Sequence, residues 1–293
     1  MFSHNLWAID GVDHYMILDS DGKLYNGEYL ATYEEKWFWE SEIKNRYMAI
    51  WSFDSVNPKI HFILNDKIIS KVKIESKPSS YKKFHKDNDL FLNGSPLSEW
   101  SYVAEGNGGH HLYENMFGNF AWDLVVQKVG QSYVNQGAKL KDHHIWSKKV
   151  FSTIEGRIVD FKRDEEDNEA DPLFSSDLSQ KTDGNFILLE LSNSFYFLYL
   201  HFKKDTIPKD LKIGDFIKKG QYLGNVGNSG VSYVPHLHMT VYYYSKEFDR
   251  MFSVPSYFSD IKLKKATKSF NSCSYIPTKG DQIISSKTKT CDL

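Results

Sequence analysis

The chain has 293 residues, a formal net charge of -2, and 41% hydrophobic and 15% aromatic residues, which is enough apolar mass for a packed core and too much for a disordered chain. The near-balanced charge excludes a dedicated nucleic-acid binder, whose footprint is strongly basic. No apolar run approaches the roughly eighteen residues of a membrane span, so no membrane span is expected.

The opening residues, MFSHNLWAIDGVDHYMILDSDGK, lack a basic stretch followed by an apolar one, so no signal peptide is expected in this chain. Residues 1–95 read mostly as short strands and turns, a β-rich N-terminal accessory region. HYMILDSDGKLY is two runs around Asp21-Gly22, and KIHFILNDKIISKVKI repeats that hairpin pattern around Asn65-Asp66. TYEEKWFWESEIKN, from Thr32 to Asn45, reads as one helix, with its tryptophans packed in the core. ESKPSSYKKFHKDNDLFLNGSP, residues 75–96, is polar with Pro and Gly and reads as a linker or exposed loop.

From about residue 118 the pattern is of strands. FAWDLVV, FSTIEGRIVDF, NFILLELSN, FYFLYLHF, QYLGNVG and HLHMTVYYY are short β runs separated by Gly, Asn and Asp, which predicts a mainly β fold with an antiparallel core. The acidic stretch at 162–183 reads as a mobile surface insertion. Residues 263–293 are lysine-rich and read as an irregular tail along the surface, with the lysines solvated. The two cysteines, Cys273 and Cys291, fit a reduced compartment or one late disulfide and cannot build a cysteine zinc site.

Chemistry concentrates in the second part. In VPHLHMTV, His236 and His238 project to one face of a strand. In a chain with eleven histidines such a pair also arises by chance, as two packed core imidazoles. The preceding GNVGNSGVSYVP places Gly224, Gly227 and Gly230 in tight turns and Pro235 at the strand entry, a costly way to aim two histidines. His201 ends an aromatic strand. Asp123 sits inside an apolar one, where an unpaired carboxylate costs several kcal/mol and calls for a partner. His110 and His111 lie on the glycine-rich EGNGGHHLYEN. His143 and His144 read as a solvated loop, and His4, His14, His61 and His85 as structural. Zinc suits such a set. A catalytic site takes three protein ligands from His, Asp and Glu and leaves a fourth position for water, whose pKa falls from 15.7 toward roughly 7.

Together these residues resemble the lysostaphin/LytM-type zinc metallopeptidases. GDFIKKGQYLGNVGNSGVSYVPHLHMTV is similar to that family's final Gly-Asn-Ser/Thr-Gly loop and Pro-His-Leu-His strand. FYFLYLHF is similar to its Tyr-x-His-Leu strand, FAWDLVV to its Ala-x-Asp-Phe strand, and KKVFSTIEGRIVDF to the strand pair ending in Asp-Gly-x-Val. The resemblance covers about residues 106–262 and places the four motifs in the family's order. It implies a metallopeptidase domain over 96–262 with one zinc per chain. Asp123 and His238 would be metal ligands and His201 and His236 paired catalytic histidines. The expected partner is a bacterial cell-wall (peptidoglycan) peptide. One position departs from the pattern: the family's first ligand stands four residues before the aspartate, and here that residue is Asn119. His110 or His111, on the longer loop upstream, is the expected replacement. The alternative is a degenerate domain that binds cell-wall peptide or regulates another hydrolase. GDFIKKGQYLG also resembles the turn of biotinyl and lipoyl carrier domains, but lacks a lysine at a hairpin tip.

Overall fold

A computed structural model describes residues 14–19, 24–36, 43–52, 59–64, 68–74, 85–106, 118, 120–192, 194–246, 249–265 and 268–286. In the N-terminal region, β1 (His14–Asp19), β2 (Leu24–Lys36), β3 (Ile43–Ser52), β4 (Lys59–Leu64) and β5 (Ile68–Ile74) form an antiparallel sheet in the order β4-β3-β2-β1-β5. The β1–β2 hairpin falls where the Asp21-Gly22 pair predicts it, with His14 opposite Glu28 and Leu18 opposite Leu24.

Two expectations for this region are overturned. Thr32 to Asn45 is not a helix: Thr32 to Lys36 continue β2, Ile43 starts β3, and Lys36 pairs with Ile43. The long β2–β3 ladder outweighs a modest local helix preference. The strands flanking Asn65-Asp66 do form, but not as a hairpin, because β4 pairs with β3 and β5 with β1. A link of residues 65–67 reaches at most about 14 Å. The edges of a flat five-stranded sheet lie about 19 Å apart, so this sheet must curl to bring β4 and β5 together.

The remaining strands are β6 (Leu92–Asn93), β7 (Ser101–Gly106), β8 (Trp122–Val126), β9 (Lys149–Phe151), β10 (Gly156–Lys162), β11 (Phe186–Glu190), β12 (Phe195–Leu200), β13 (Phe216–Ile217), β14 (Tyr222–Asn225), β15 (Leu237–Ser245), β16 (Arg250–Ser253), β17 (Phe258–Ser259), β18 (Ile261–Lys265), β19 (Lys268–Ser272) and β20 (Gln282–Ser285). Eleven of them build one antiparallel sheet, β13-β10-β11-β12-β15-β8-β7-β20-β18-β19, with β16 also on β15. The pairs β14-β9 and β17-β6 stand beside it. The expected antiparallel β core is therefore present, and each predicted run from FAWDLVV to HLHMTVYYY supplies a strand. Trp122, Leu124, Ile187, Leu189, Phe197, Tyr199, Leu237, Met239 and Val241 fill its core. Inside that core the Tyr199 hydroxyl accepts the Thr153 amide at 2.9 Å.

The stretch 85–93 is not an exposed loop. Leu90, Phe91 and Leu92 are buried, β6 pairs with β17, and His85 is enclosed by the rings of Phe91, Phe195 and Tyr257. The apolar run DLFL gives this half of the segment a place in the core, against the polar composition of the rest. Nor are residues 263–286 an irregular tail. They continue β18 and supply β19 and β20, with Leu263 and Ile283 fully buried. Here the alternation of Ile261 and Leu263 with Lys262 and Lys264 is the pattern of a half-buried strand. The Trp122 indole donates to the Pro277 carbonyl at 2.9 Å, which ties this segment to β8. Cys273 is disulfide-bonded; the chain's only other cysteine, Cys291, lies outside the described residues. Among the described residues no helix is long and apolar enough to cross a membrane.

If residues 263–286 belong to the core, Ile283→Ala destabilises the protein by about 2–5 kcal/mol in urea unfolding. A surface tail would give less than about 0.5 kcal/mol.

Candidate metal centre

The site is built on strand register. Directly opposed residues of antiparallel strands share a face. Glu105 on β7 faces Asp123 on β8, Asp123 faces His238 on β15, and His238 faces Leu200 at the end of β12. This row crosses four strands and lines one cleft of about 390 Å³, together with His201, His236, Asp183, Phe174, Val231, Ser232, Tyr233 and Val234. Glu105 and Gly118, which lie on either side of residues 107–117 in the sequence, both line this cleft. His110, His111 and Asn119 themselves lie outside the described residues.

The structure brings together Asp123, His201, His236 and His238. Asp123 is only 5% exposed in a strand whose other side chains are all buried. Its Oδ1 lies 2.9 Å from His238 Nδ1 and 3.5 Å from His236 Nε2. His236 stands just before β15, with Nδ1 2.8 Å from the Val234 carbonyl and 3.3 Å from the Ser232 hydroxyl. His201 follows β12 in a left-handed conformation, φ +64. Its Nδ1 is 2.8 Å from the Ser229 carbonyl, and its ring centroid is 4.7 Å from that of His236 and 5.9 Å from that of His238. Burial, and then the neighbouring His236 and His238, hold the His201 imidazole well below the usual histidine range. It is therefore neutral at neutral pH.

A carbonyl oxygen only accepts, so in the neutral rings Nδ1 of His201 and of His236 carries the proton and each Nε2 presents a lone pair. The His236 Nε2 lone pair then faces a carboxylate oxygen, acceptor to acceptor. One ligand nitrogen from each of His201, His236 and His238 falls within 4.8 Å of the others. Imidazole nitrogens gathered on a buried carboxylate oxygen are a donor set that suits a divalent cation, and zinc takes such N and O ligands. The Thr240 hydroxyl, 3.0 Å from His238 Nε2, is placed to orient that ring from behind.

The glycine-rich loop after β14 and the acidic insertion hold these histidines. The insertion is tied by hydrogen bonds to the neighbouring loop at Asp167–Asp171 and Thr182. Asp167 accepts the Asn228 and Lys204 amides at 2.6 and 3.2 Å. Asn168 Nδ2 donates to the Gly230 and Ser232 carbonyls, and Asn228 Nδ2 to those of Asn168 and Glu169. The Val231 amide donates to Thr182 O, and Asp171 N to Tyr233 O. Polar side chains expected to face water are spent instead on backbone groups of the neighbouring loop. Gly227 is required by this closeness, since a Cβ there would sit 2.3 Å from Lys203 N and 2.4 Å from Asp167 Oδ1.

His143 is also corrected. It is buried rather than solvated, with Nε2 2.9 Å from the Gly137 carbonyl and its ring 5.4 Å from that of Tyr133, and it does not line the cleft. Burial lowers its pKa. Sequence reasoning missed Glu105, whose Oε1 pairs with Lys279 Nζ at 2.5 Å, because β7 was not recognised as a strand. It also missed Phe174 and Tyr233. The sign available for Phe174 was an apolar Leu-Phe pair inside an otherwise acidic insertion.

A buried carboxylate and three imidazoles thus share one cleft of an antiparallel sheet, a donor set able to hold a metal ion. Residues 133–250 match the model of Peptidase family M23, which shows the resemblance for that region. This is less than half of the chain and includes His201, His236 and His238 but not Asp123. A segment of 63 residues, 22% of this chain, is 38% identical to an uncharacterized metalloprotease of Buchnera aphidicola, and it spans 16% of that protein's length. Among solved structures, the M23 metalloprotease pseudoalterin from the deep sea aligns over 67% of this chain and 95% of its own, with 16% identity and a TM-score of 0.36. The antimicrobial peptidase lysostaphin from Staphylococcus simulans aligns over 62% and 75%, with 16% identity and a TM-score of 0.31.

Asn228→Ala removes two of the stitches between insertion and glycine loop, those to Asn168 O and Glu169 O. It is expected to cost about 1–3 kcal/mol and to speed amide hydrogen exchange at residues 168–171 and 229–233 but not in β11. For His143 the folded pKa lies below the unfolded value of about 6.5, so the unfolded chain takes up the proton first as pH falls, and stability present at neutral pH is lost on acidification. His143→Gln therefore flattens the decline of the melting midpoint between about pH 7 and 5; an unchanged slope rules this contribution out.

Proposed function

We propose that the protein is a zinc-dependent endopeptidase that hydrolyses peptide cross-links of the bacterial cell wall. The observation that carries this reading is the convergence of His236 and His238 on the buried Asp123 oxygen, beside His201, in a domain that matches a peptidase family. Asp123 and His238 hold the metal, and His110 or His111 completes the ligand set, from the stretch between the cleft-lining Glu105 and Gly118. One zinc per chain would supply Lewis acidity toward water and the peptide carbonyl at neutral pH.

His201 and His236 act on the substrate. Each ring is oriented by an Nδ1–H donated to a backbone carbonyl, from Ser229 and Val234, which leaves Nε2 toward the cleft. There it takes a proton or, once protonated, donates to the oxygen that gains charge in the transition state. A burial-depressed pKa keeps His201 ready to accept a proton. The reading includes an accessory region at 1–95 and a catalytic unit at 96–262, to which the strands up to residue 285 add. The disulfide at Cys273 fits an oxidising compartment, the periplasm or cell exterior. Asn119, at the position of the family's first ligand, favours the second reading, a degenerate domain that binds cell-wall peptide without cleaving it.

Metal analysis separates the two. The purified protein should carry about one zinc per chain, lost in Asp123→Ala and His238→Ala, as in sites with three protein ligands. His236→Ala should keep the metal and lower kcat/KM on cell-wall peptide about 10²–10³-fold. A correctly folded protein that takes up no zinc would sink the catalytic reading, and full activity in His236→Ala would remove that residue from the chemistry.

A further inference from the structure

One rim of the cleft is apolar. The rings of Phe174 and Tyr233 lie 5.2 Å apart, and Val231 and Val234 carry the same surface to His236, whose Nδ1 rests on the Val234 carbonyl. Phe174 is 63% exposed and Val231 51% exposed, although both are large and apolar. Phe174 is also held in a left-handed conformation, φ +53, which a bulky side chain rarely adopts. The turn beneath it is fixed. The Asp171 carboxylate accepts the amides of Leu173, Ser175 and Ser176, the Asp171 carbonyl accepts Phe174 N, and Asp171 N donates to Tyr233 O. The hydroxyls and amides of Ser176 and Ser175 hold the Asp171 carboxyl below the usual carboxylate range, at about 2. Backbone strain held in place by its surroundings beside a reactive cleft is characteristic of a working surface. Glu105 and Asp183 also line the cleft, and Glu105 pairs with Lys279.

The geometry points to the tip of the insertion as a specificity wall: Phe174 and Tyr233 pack against an apolar or aromatic side chain on the peptide residue next to the bond presented to His201 and His236. This inference rests on the peptidase reading and deepens it, because it separates the favoured substrate from an all-glycine strand. Glycine offers the wall nothing to bury. A phenylalanine side chain removed from water there favours binding by about ten- to hundredfold.

The test measures binding rather than turnover, with the full zinc-loaded chain and two defined probes, acetyl-Ala-Phe-Gly-amide and acetyl-Ala-Gly-Gly-amide. The amide shifts of Val231–Val234 and His236 are followed by NMR. The expected result is binding of the phenylalanine peptide at least about tenfold tighter than its glycine counterpart. Phe174→Ala should bring that ratio near one. Phe216→Ala, another exposed phenylalanine outside the cleft, should leave the ratio as in the unmodified protein. Equal binding of both probes, binding of neither, or a ratio unchanged in Phe174→Ala overturns the wall. A preserved preference in a protein that takes up no zinc and leaves cell-wall peptide uncut keeps the wall and sinks the peptidase reading instead.

Discussion

The buried carboxylate of Asp123 is the constraint around which the domain is arranged. An ionised group at 5% exposure within an apolar strand is several kcal/mol out of place unless its charge is met. His238 meets it from the next strand, with Nδ1 2.9 Å from the carboxylate oxygen. That compensation works only if β15 lies beside β8 in the register that opposes His238 to Asp123. A slip of one residue would turn His238 to the opposite face. Once β15 is fixed, β12 on its other side brings Leu200 opposite His238 and delivers His201 to the cleft.

Orientation of the histidines comes mostly from backbone. His201 answers to Ser229 O and His236 to Val234 O, both on the loop that the insertion grips. The insertion is thus a brace: side chains of Asp167, Asn168 and Asn228 replace the ladder hydrogen bonds that a loop cannot make for itself. Buried polar groups satisfied in this way rigidify their surroundings. The same brace carries the Asp171 turn out to the cleft rim, so one segment both steadies the imidazoles and shapes what can approach them.

Much of this was legible in the sequence because it depends on local pattern. Alternating apolar runs marked most strands of the large sheet, and Asp123, His201, His236 and His238 stood out as polar residues in apolar strands or glycine-rich settings. What was not legible depends on partners distant in the chain. Thr32 to Asn45 has charges spaced as on a helix, and only the β2–β3 ladder decides against it. The acidic insertion has the composition of a solvated loop, and its hydrogen bonds to a loop some 60 residues later leave no local trace. Glu105 became visible only when β7 was placed against β8. His143 looked solvated because nothing nearby in sequence reveals the carbonyl of Gly137 that receives its ring.

The placement of β20 against β7 bears on how the protein can be dissected. A catalytic fragment cut at residue 262, where resemblance to the family ends, would strip β20 from β7. The Tyr102 and Ser101 ladder would lie open as a free sheet edge, a template for edge-to-edge aggregation. The same cut removes Pro277, leaving the buried Trp122 indole without its acceptor, and takes Lys279 from Glu105. A portable unit therefore has to extend past residue 262 at least through β20, a limit set by sheet closure rather than by the catalytic motifs.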